Sequence, residues 1–213
     1  MSNPLDRYKD SHHEFQQDSE INLVENPFDL FIEWFQFASD SKELEANAFV
    51  LGTSSLDHQS SMRIVYLKDI VAQQFVFYTN YNSQKGQEIA ENPIVSMLFF
   101  YPSISRQIRI EGVCKKVDME LSDAYFKSRP RGSQLGAWAS HQSEVLVNSS
   151  DLKGRMAELE VRFPNEVPRP EHWGGFQIEP TRFEFWLGKT SRLHERIVFE
   201  PQGDGWKNYR KNP

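Results

Sequence analysis

A mainly β, α+β fold, a barrel or sandwich of short strands with flanking helices, is predicted by two features of the sequence. Five short runs between residues 48 and 113 are dense in β-branched and aromatic side chains and are joined by short polar connections. Helical segments with recognisable start and stop residues flank and interrupt them. Regular short strands of this kind close into a barrel or stack as a sandwich. The 213 residues suffice for a sizeable core without metal or disulfide support, and 16 Phe, 7 Tyr and 5 Trp are too many for a disordered chain.

Residues 1–25 are polar, lack a sustained period and read as a flexible N-terminal arm. Residues 26–213 show no repeat or linker that would divide them and read as one domain. Asn26 and Pro27 start a helix, because Asn caps free N–H groups and Pro fits the first turn. Phe28, Phe31, Ile32 and Phe35 form its apolar stripe, widened by Leu30, Trp34 and Phe37. Strands are expected over 48–51, 62–67, 75–79, 95–101 and 107–113. Ser83 caps a helix reaching about Glu91, where Asn92 and Pro93 stop it, and another runs from about Glu120 to Ser128, ending before Pro130. A third covers about 150–162, with Leu152, Met156, Leu159 and Phe163 on one face. Strands return at 176–178, 182–186, 192–199 and about 206–210.

Several function classes are excluded or disfavoured. The longest apolar runs are far short of the ~18 residues that span a bilayer, and residues 1–20 lack a signal-peptide stretch. Cys114 is the only cysteine, so intrachain disulfides and multi-Cys zinc sites cannot form; a cytoplasmic, non-membrane protein is expected. The six histidines show no metal-ligand spacing, and no metal site is expected. A net charge of −6 argues against a nucleic-acid partner. Residues 101–143 nevertheless carry seven bases against four acids, which favours a small anionic ligand. No glycine-rich phosphate loop occurs, so a nucleotide-type ligand needs side-chain cations.

Four polar clusters supply such cations. In the RIVYLK run, Arg63 and Lys68 stand five apart, which on a straight strand points them to opposite faces. Ser83, Gln84 and Lys85 open a helix where free N–H groups, a hydroxyl and an ammonium converge. From Tyr125 to Trp138, Arg129 sits where a helix must break, and the hydroxyl and glycine positions after it, Ser133 included, are free to wrap an anion, whereas Arg131 reads equally well as a surface charge. On an alternating strand, Arg192, His194 and Arg196 share one face and repel each other unless something anionic or electron-rich lies against them. A solvated sheet face with Glu195 nearby accounts for the triplet equally well.

Together these blocks, with the FYTN run at 77–80, Arg106-Gln107, Gln142-Ser143, the WGG run at 173–175 and the EFW run at 184–186, resemble the pyridoxine (pyridoxamine) 5′-phosphate oxidase family. The resemblance covers nearly the whole chain from Asn26 onward. It implies an FMN-binding split β-barrel with flanking helices, working as a homodimer with FMN in clefts between subunits. The implied FMN ligands are Arg63, Ile64, Lys68, Tyr78, Thr79, Gln84, Lys85, Gln107, Gln142, Ser143, Trp186 and Arg196. The implied substrate-phosphate set is Lys68, Tyr125, Arg129 and Ser133, with Arg192 and His194 as catalytic residues over the ring and the carbon being oxidised. The implied reaction oxidises pyridoxine or pyridoxamine 5′-phosphate to pyridoxal 5′-phosphate with oxygen, releasing hydrogen peroxide. Gln84 stands where many relatives have Arg, and the arm and the C-terminal residues also depart from the family pattern. Two alternatives remain open: a related split-barrel flavin oxidase acting on another reduced ring such as a phenazine precursor, and a non-catalytic FMN or pyridoxal-phosphate binding module.

Overall fold

The computed structural model describes residues 20–213; most of the expected arm lies outside the described residues. The chain forms two compact units, each assembled from discontinuous segments. The first takes the described part of residues 1–46 together with 99–109 and 182–213; the second takes 47–98 and 110–181.

In the second unit, β1 (Ala48–Ser54) pairs antiparallel with β2 (Ser60–Tyr66), placing Leu51 opposite Arg63. On its other side β1 pairs with β5 (Ile94–Tyr101) through Val50, Leu51 and Gly52. A short β3 (Asp69–Val71) hairpins into β4 (Gln74–Asn80), which pairs with β7 (Trp173–Leu187). With β6 (Arg106–Lys116), the strand order is β2-β1-β5-β6-β7-β4-β3. Alternation decides which side chains are buried: Phe49, Leu51 and Thr53 of β1 turn inward, and Phe49 meets Phe77 edge-on at 6.1 Å. Four helices complete this unit: α2 (Gln84–Glu91), α3 (Met119–Ser128), α4 (Arg131–Ala139) and α5 (Ser149–Arg162). Phe126, Leu135, Val167 and Trp173 form a small core there, and Met156, Leu159 and Phe163 from the α5 region pack on it.

In the first unit, α1 (Pro27–Asp40) starts as expected, the Asn26 side chain accepting from the Phe28 N–H. Its buried side is Phe28, Leu30, Phe31, Trp34 and Ala38, while Ile32 and Phe37 face outward. The expected stripe was therefore centred too far round the helix. Trp34 meets Phe185 edge-on at 5.3 Å, and β8 (Glu195–Gln202) joins β7 to β9 (Gly205–Lys211). Next to the arm, Ile21 is buried and its N–H donates to the Glu195 carboxylate at 3.0 Å.

Four local expectations change. The 176–178 and 182–186 strands are one strand, β7, running through Pro180. The segment after Pro130 is the helix α4 instead of a wrapping loop, with Ser133 in its first turn. Lys68 lies beyond the end of β2, its N–H donating to the Val76 carbonyl at 2.9 Å, so strand parity does not set its direction. Arg192 closes a 3-10 turn (Thr190–Arg192) and has φ 59°, so it does not share a strand face with Arg196; β8 begins only at Glu195. Among the described residues no helix is long and apolar enough to cross a membrane, and no group of three or more metal-ligating side chains occurs.

Candidate active site

The second unit holds a cleft of about 530 Å³ lined by Lys68, Tyr78, Thr79, Tyr125, Arg129, Ser133 and Gln142, among others. Each element delivers its share for a local reason. Tyr78 and Thr79 end β4, and Tyr125 and Arg129 lie at the end of α3, where Pro130 ends the helix and starts α4. Glycine is needed at 175, where an added Cβ would sit 2.7 Å from Val117 and 2.8 Å from the Tyr78 ring.

One wall of the cleft is a stack of flat rings. Tyr78 lies on Tyr125 at 3.9 Å, and Trp173 continues the stack 5.7 Å from Tyr78, their planes within 15°. Burial, reinforced by Tyr125, pushes the Tyr78 phenol up to about 12, so it stays neutral. The Arg129 guanidinium lies 4.4 Å over the Trp173 ring and 5.6 Å over Phe126. Among the described residues its Nη1 is buried without a hydrogen-bond partner, and burial lowers its pKa against the opposing influence of Tyr125. An unpaired buried donor costs about 1–3 kcal/mol, so this atom is built to meet an acceptor. Arg131, by contrast, turns away and donates to the Phe163 and Asn165 carbonyls.

A second cationic group adjoins the cleft at the start of α2. Ser83 caps the helix, and the Lys85 ammonium is buried, donating to Gln142 at 2.9 Å and to Thr79 and Ser83 at 3.3 Å. Burial first, then the Arg63 charge, pulls Lys85 down to about 8, although Glu88 opposes this. Arg63 donates to the Leu51 carbonyl, to Thr53, to Ser61 and, at 3.2 Å, to the Glu88 carboxylate. The Gln84 N–H donates to Ser143 at 3.2 Å, while the Gln84 side-chain amide donates to Glu88 at 2.9 Å. Ile64 is two-thirds exposed on β2. Two mutually repelling cations beside a helix N-terminus, and an orphaned guanidinium N–H in the same unit, fit a ligand pair in which both partners carry phosphate.

The sequence matches the family model of pyridoxamine 5′-phosphate oxidase over residues 39–163 and that of the pyridoxine 5′-phosphate oxidase C-terminal dimerisation region over residues 173–213. The chain belongs to the pyridoxamine 5′-phosphate oxidase family. Among similar proteins, the pyridoxine/pyridoxamine 5′-phosphate oxidase of Nostoc sp. is 46% identical over 92% of both chains. That of Pseudomonas paraeruginosa is 44% identical over 96% of this chain and 97% of its own. Among solved structures, PhzG from Burkholderia lata, in complex with tetrahydrophenazine-1-carboxylic acid, superposes with a TM-score of 0.85 at 29% identity, covering 90% of this chain and 95% of that one. An FMN-binding protein from Nostoc punctiforme related to the family shares the fold, with a TM-score of 0.72 at 14% identity, covering 90% of this chain and all of that one. As a member of this family, the chain is an oxidoreductase.

The remaining sequence-derived residues of this oxidase, Gln107, Trp186, Arg192, His194 and Arg196, belong to the first unit. Trp186 and His194 have ring centroids 4.6 Å apart. His194 Nδ1 accepts from the Lys189 N–H at 3.1 Å, which puts the proton of a neutral ring on Nε2. Burial and the Arg192 charge lower the His194 pKa and favour that neutral form. Arg196 is held by two bonds, 2.6 and 3.0 Å, to Oε1 of the buried Glu184. Missed from sequence were Trp173 as the cleft's ring wall and the Glu88, Thr53 and Ser61 group behind Arg63. Only the i, i+4 spacing of Gln84 and Glu88 signalled any of it.

Proposed function

We propose that this oxidase converts pyridoxine 5′-phosphate and pyridoxamine 5′-phosphate to pyridoxal 5′-phosphate, consuming oxygen and releasing hydrogen peroxide, and ammonia from the amine. The observation that carries the reading is the single cleft that brings Lys68, Tyr125, Arg129 and Ser133 together around an unpaired, buried guanidinium N–H. FMN, when bound, would supply the two-electron acceptor for the oxidation at substrate C4′, with oxygen as the final oxidant.

The protein's part is binding, orientation and proton placement. Arg129 and Lys68 supply charge to the substrate phosphate, and the Tyr125 and Ser133 hydroxyls supply directional bonds. Arg63 and Lys85 hold the cofactor phosphate, with Gln142, Thr79 and Ser143 next to them. Arg192 and His194 act at the substrate ring and at C4′, where the alcohol or amine proton must leave as the hydride goes. The working form is a homodimer. Its support is the dimerisation region at 173–213 and an exposed apolar row on β2, Met62, Ile64 and Tyr66, which a lone subunit would leave in water.

A second reading, oxidation of another reduced ring, has the likeness to PhzG in its favour. An oxygen-uptake assay on the purified yellow protein tests both. Uptake with pyridoxine 5′-phosphate, and an aldehyde product, supports the first; uptake only with a reduced phenazine precursor replaces it with the second. No uptake with any reduced ring, FMN being bound, would leave a binding module.

A further inference from the structure

Around Arg63 sits a polar group that the activity does not account for. Glu88 is buried on α2, and its carboxylate accepts from four side chains on three elements. Ser61 donates at 2.6 and 2.8 Å, Gln84 at 2.9 Å and Arg63 at 3.2 Å, and Thr53 donates to the same oxygen as Arg63. The two hydroxyls have a second task. The Ser61 oxygen accepts from Arg63 Nη2 at 2.5 Å, and the Thr53 oxygen accepts from Nη1. A hydroxyl has one proton; when Glu88 takes it, only lone pairs remain for the guanidinium. The carboxylate therefore acts on Arg63 twice, once directly and once by turning two hydroxyls into acceptors.

We infer that Glu88 is a positioning residue for the cofactor: its buried carboxylate, through Ser61 and Thr53, locks the Arg63 guanidinium in the orientation that receives the FMN phosphate. This rests on the reading of Arg63 and Lys85 as the phosphate residues. Gln84 then serves the same cage, its side-chain amide spent on Glu88. Hydrogen bonds from Ser61, Thr53, Gln84 and Arg63 outweigh the effect of burial and hold the Glu88 carboxyl at about 2, so the cage keeps its charge throughout the working range. The charge also reaches Lys85. The groups facing that ammonium are Arg63, which repels it, Glu88, which favours its protonated form, and the neutral Thr79, Ser83 and Gln142.

Glu88→Gln keeps the shape, removes the charge and presents an amide N–H₂ to groups that are themselves donors. The full-length protein, stripped of FMN, is titrated with FMN by fluorescence quenching across pH 6 to 10 (about the range in which Lys85 titrates), with folding checked by near-UV circular dichroism. The expected result is an FMN Kd raised by about tenfold or more, and a midpoint for loss of affinity with rising pH that moves below the parent's. Glu88→Asp, which restores the charge, recovers part of both. Unchanged or tighter binding in a folded Glu88→Gln protein overturns the inference, because Glu88 would then be inert or a competing anion. Should Glu88→Gln fail to fold, Ser61→Ala decides: severalfold weaker FMN binding supports the cage, and unchanged binding overturns it. Arg63→Ala and Lys85→Ala separate the two levels. If both bind FMN like the parent, the phosphate assignment itself falls; if both weaken and Glu88→Gln does not, only the role of Glu88 falls.

Discussion

Arg129 gives the sharpest test of the substrate site, because the structure fixes both what its removal loses and what it relieves. Arg129→Met keeps the apolar stem and deletes the guanidinium. In the ligand-free protein two effects oppose each other. Losing the cation–π contact with Trp173 costs about 0.5–2 kcal/mol, while removing an unpaired buried N–H returns about 1–3 kcal/mol. These nearly cancel, so the thermal midpoint of the apoprotein should move by no more than a few degrees, or rise. In the complex the loss is one-sided: each charge-assisted bond to the phosphate contributes about 1.5–3 kcal/mol, which raises KM at least tenfold per bond. Steady-state oxygen uptake with pyridoxine 5′-phosphate, beside a melting curve of the same preparation, measures both. A KM equal to the parent's would refute the assignment. So would a large loss of stability with KM unchanged, since Arg129 would then be a packing residue.

Other outcomes follow from the same geometry. Lys85 titrates near 8 in the fold and at 10.5 when unfolded, so the unfolded chain binds more protons between these values; the Lys85 contribution makes apoprotein stability rise from about pH 8 to 10.5, and Lys85→Met abolishes that rise in urea titrations. The FMN affinity of the parent moves the opposite way, falling as pH climbs past about 8, because the phosphate loses a cation. With the His194 pKa held below its ordinary 6.5, kcat/KM should stay level down to that pH and fall below it, where a protonated Nδ1 can no longer accept from Lys189; the pH profile should lose this limb in His194→Ala. Met62→Glu puts a charge on the exposed row of β2, and sedimentation should show subunits separating without unfolding. Gly86→Ala drives a Cβ to 2.1 Å from the Tyr81 carbonyl oxygen, which backbone cannot evade, so it should destabilise the protein by about 1–3 kcal/mol and weaken FMN binding.

Local signals made most elements legible before any coordinates. Asn26-Pro27 and Ser83 cap their helices through the side-chain bonds that their chemistry implies, and the β-branched and aromatic runs became strands. Where the reading failed, a longer-range effect had overridden a local one. Gly132 and Gly136 argue against helix, yet α4 forms because Leu135 and Ala139 are buried. Alternation around Arg192 looked like a strand, but Ser191 and Arg192 both take positive φ and turn the chain before β8. The strands expected at 176–178 and 182–186 are one, with Pro180 carried within β7. Candidate site residues were legible as types and positions. Their environments were not, because a guanidinium with no partner and one caged by a buried carboxylate read identically as Arg.

Under the proposed assignment, that difference bears on how the cofactor and substrate phosphates are handled. Arg63 is satisfied on its protein side by Glu88, Ser61, Thr53 and the Leu51 carbonyl, so it holds its orientation whether or not a ligand is present. Such a group suits a cofactor that stays. The Nη1 of Arg129 has no hydrogen-bond partner among the described residues, so on the proposed reading its cost is carried in every ligand-free interval. Such a group suits a substrate that comes and goes, and it also selects. A ring lacking the phosphate ester would bury Arg129 without relieving it, and sites that require a bonding group reject analogues lacking it by as much as ~10⁴-fold. Dephosphorylated pyridoxine should therefore fail mainly through kcat/KM, and Arg129→Met should narrow the gap between the phosphorylated and free vitamers by slowing only the former.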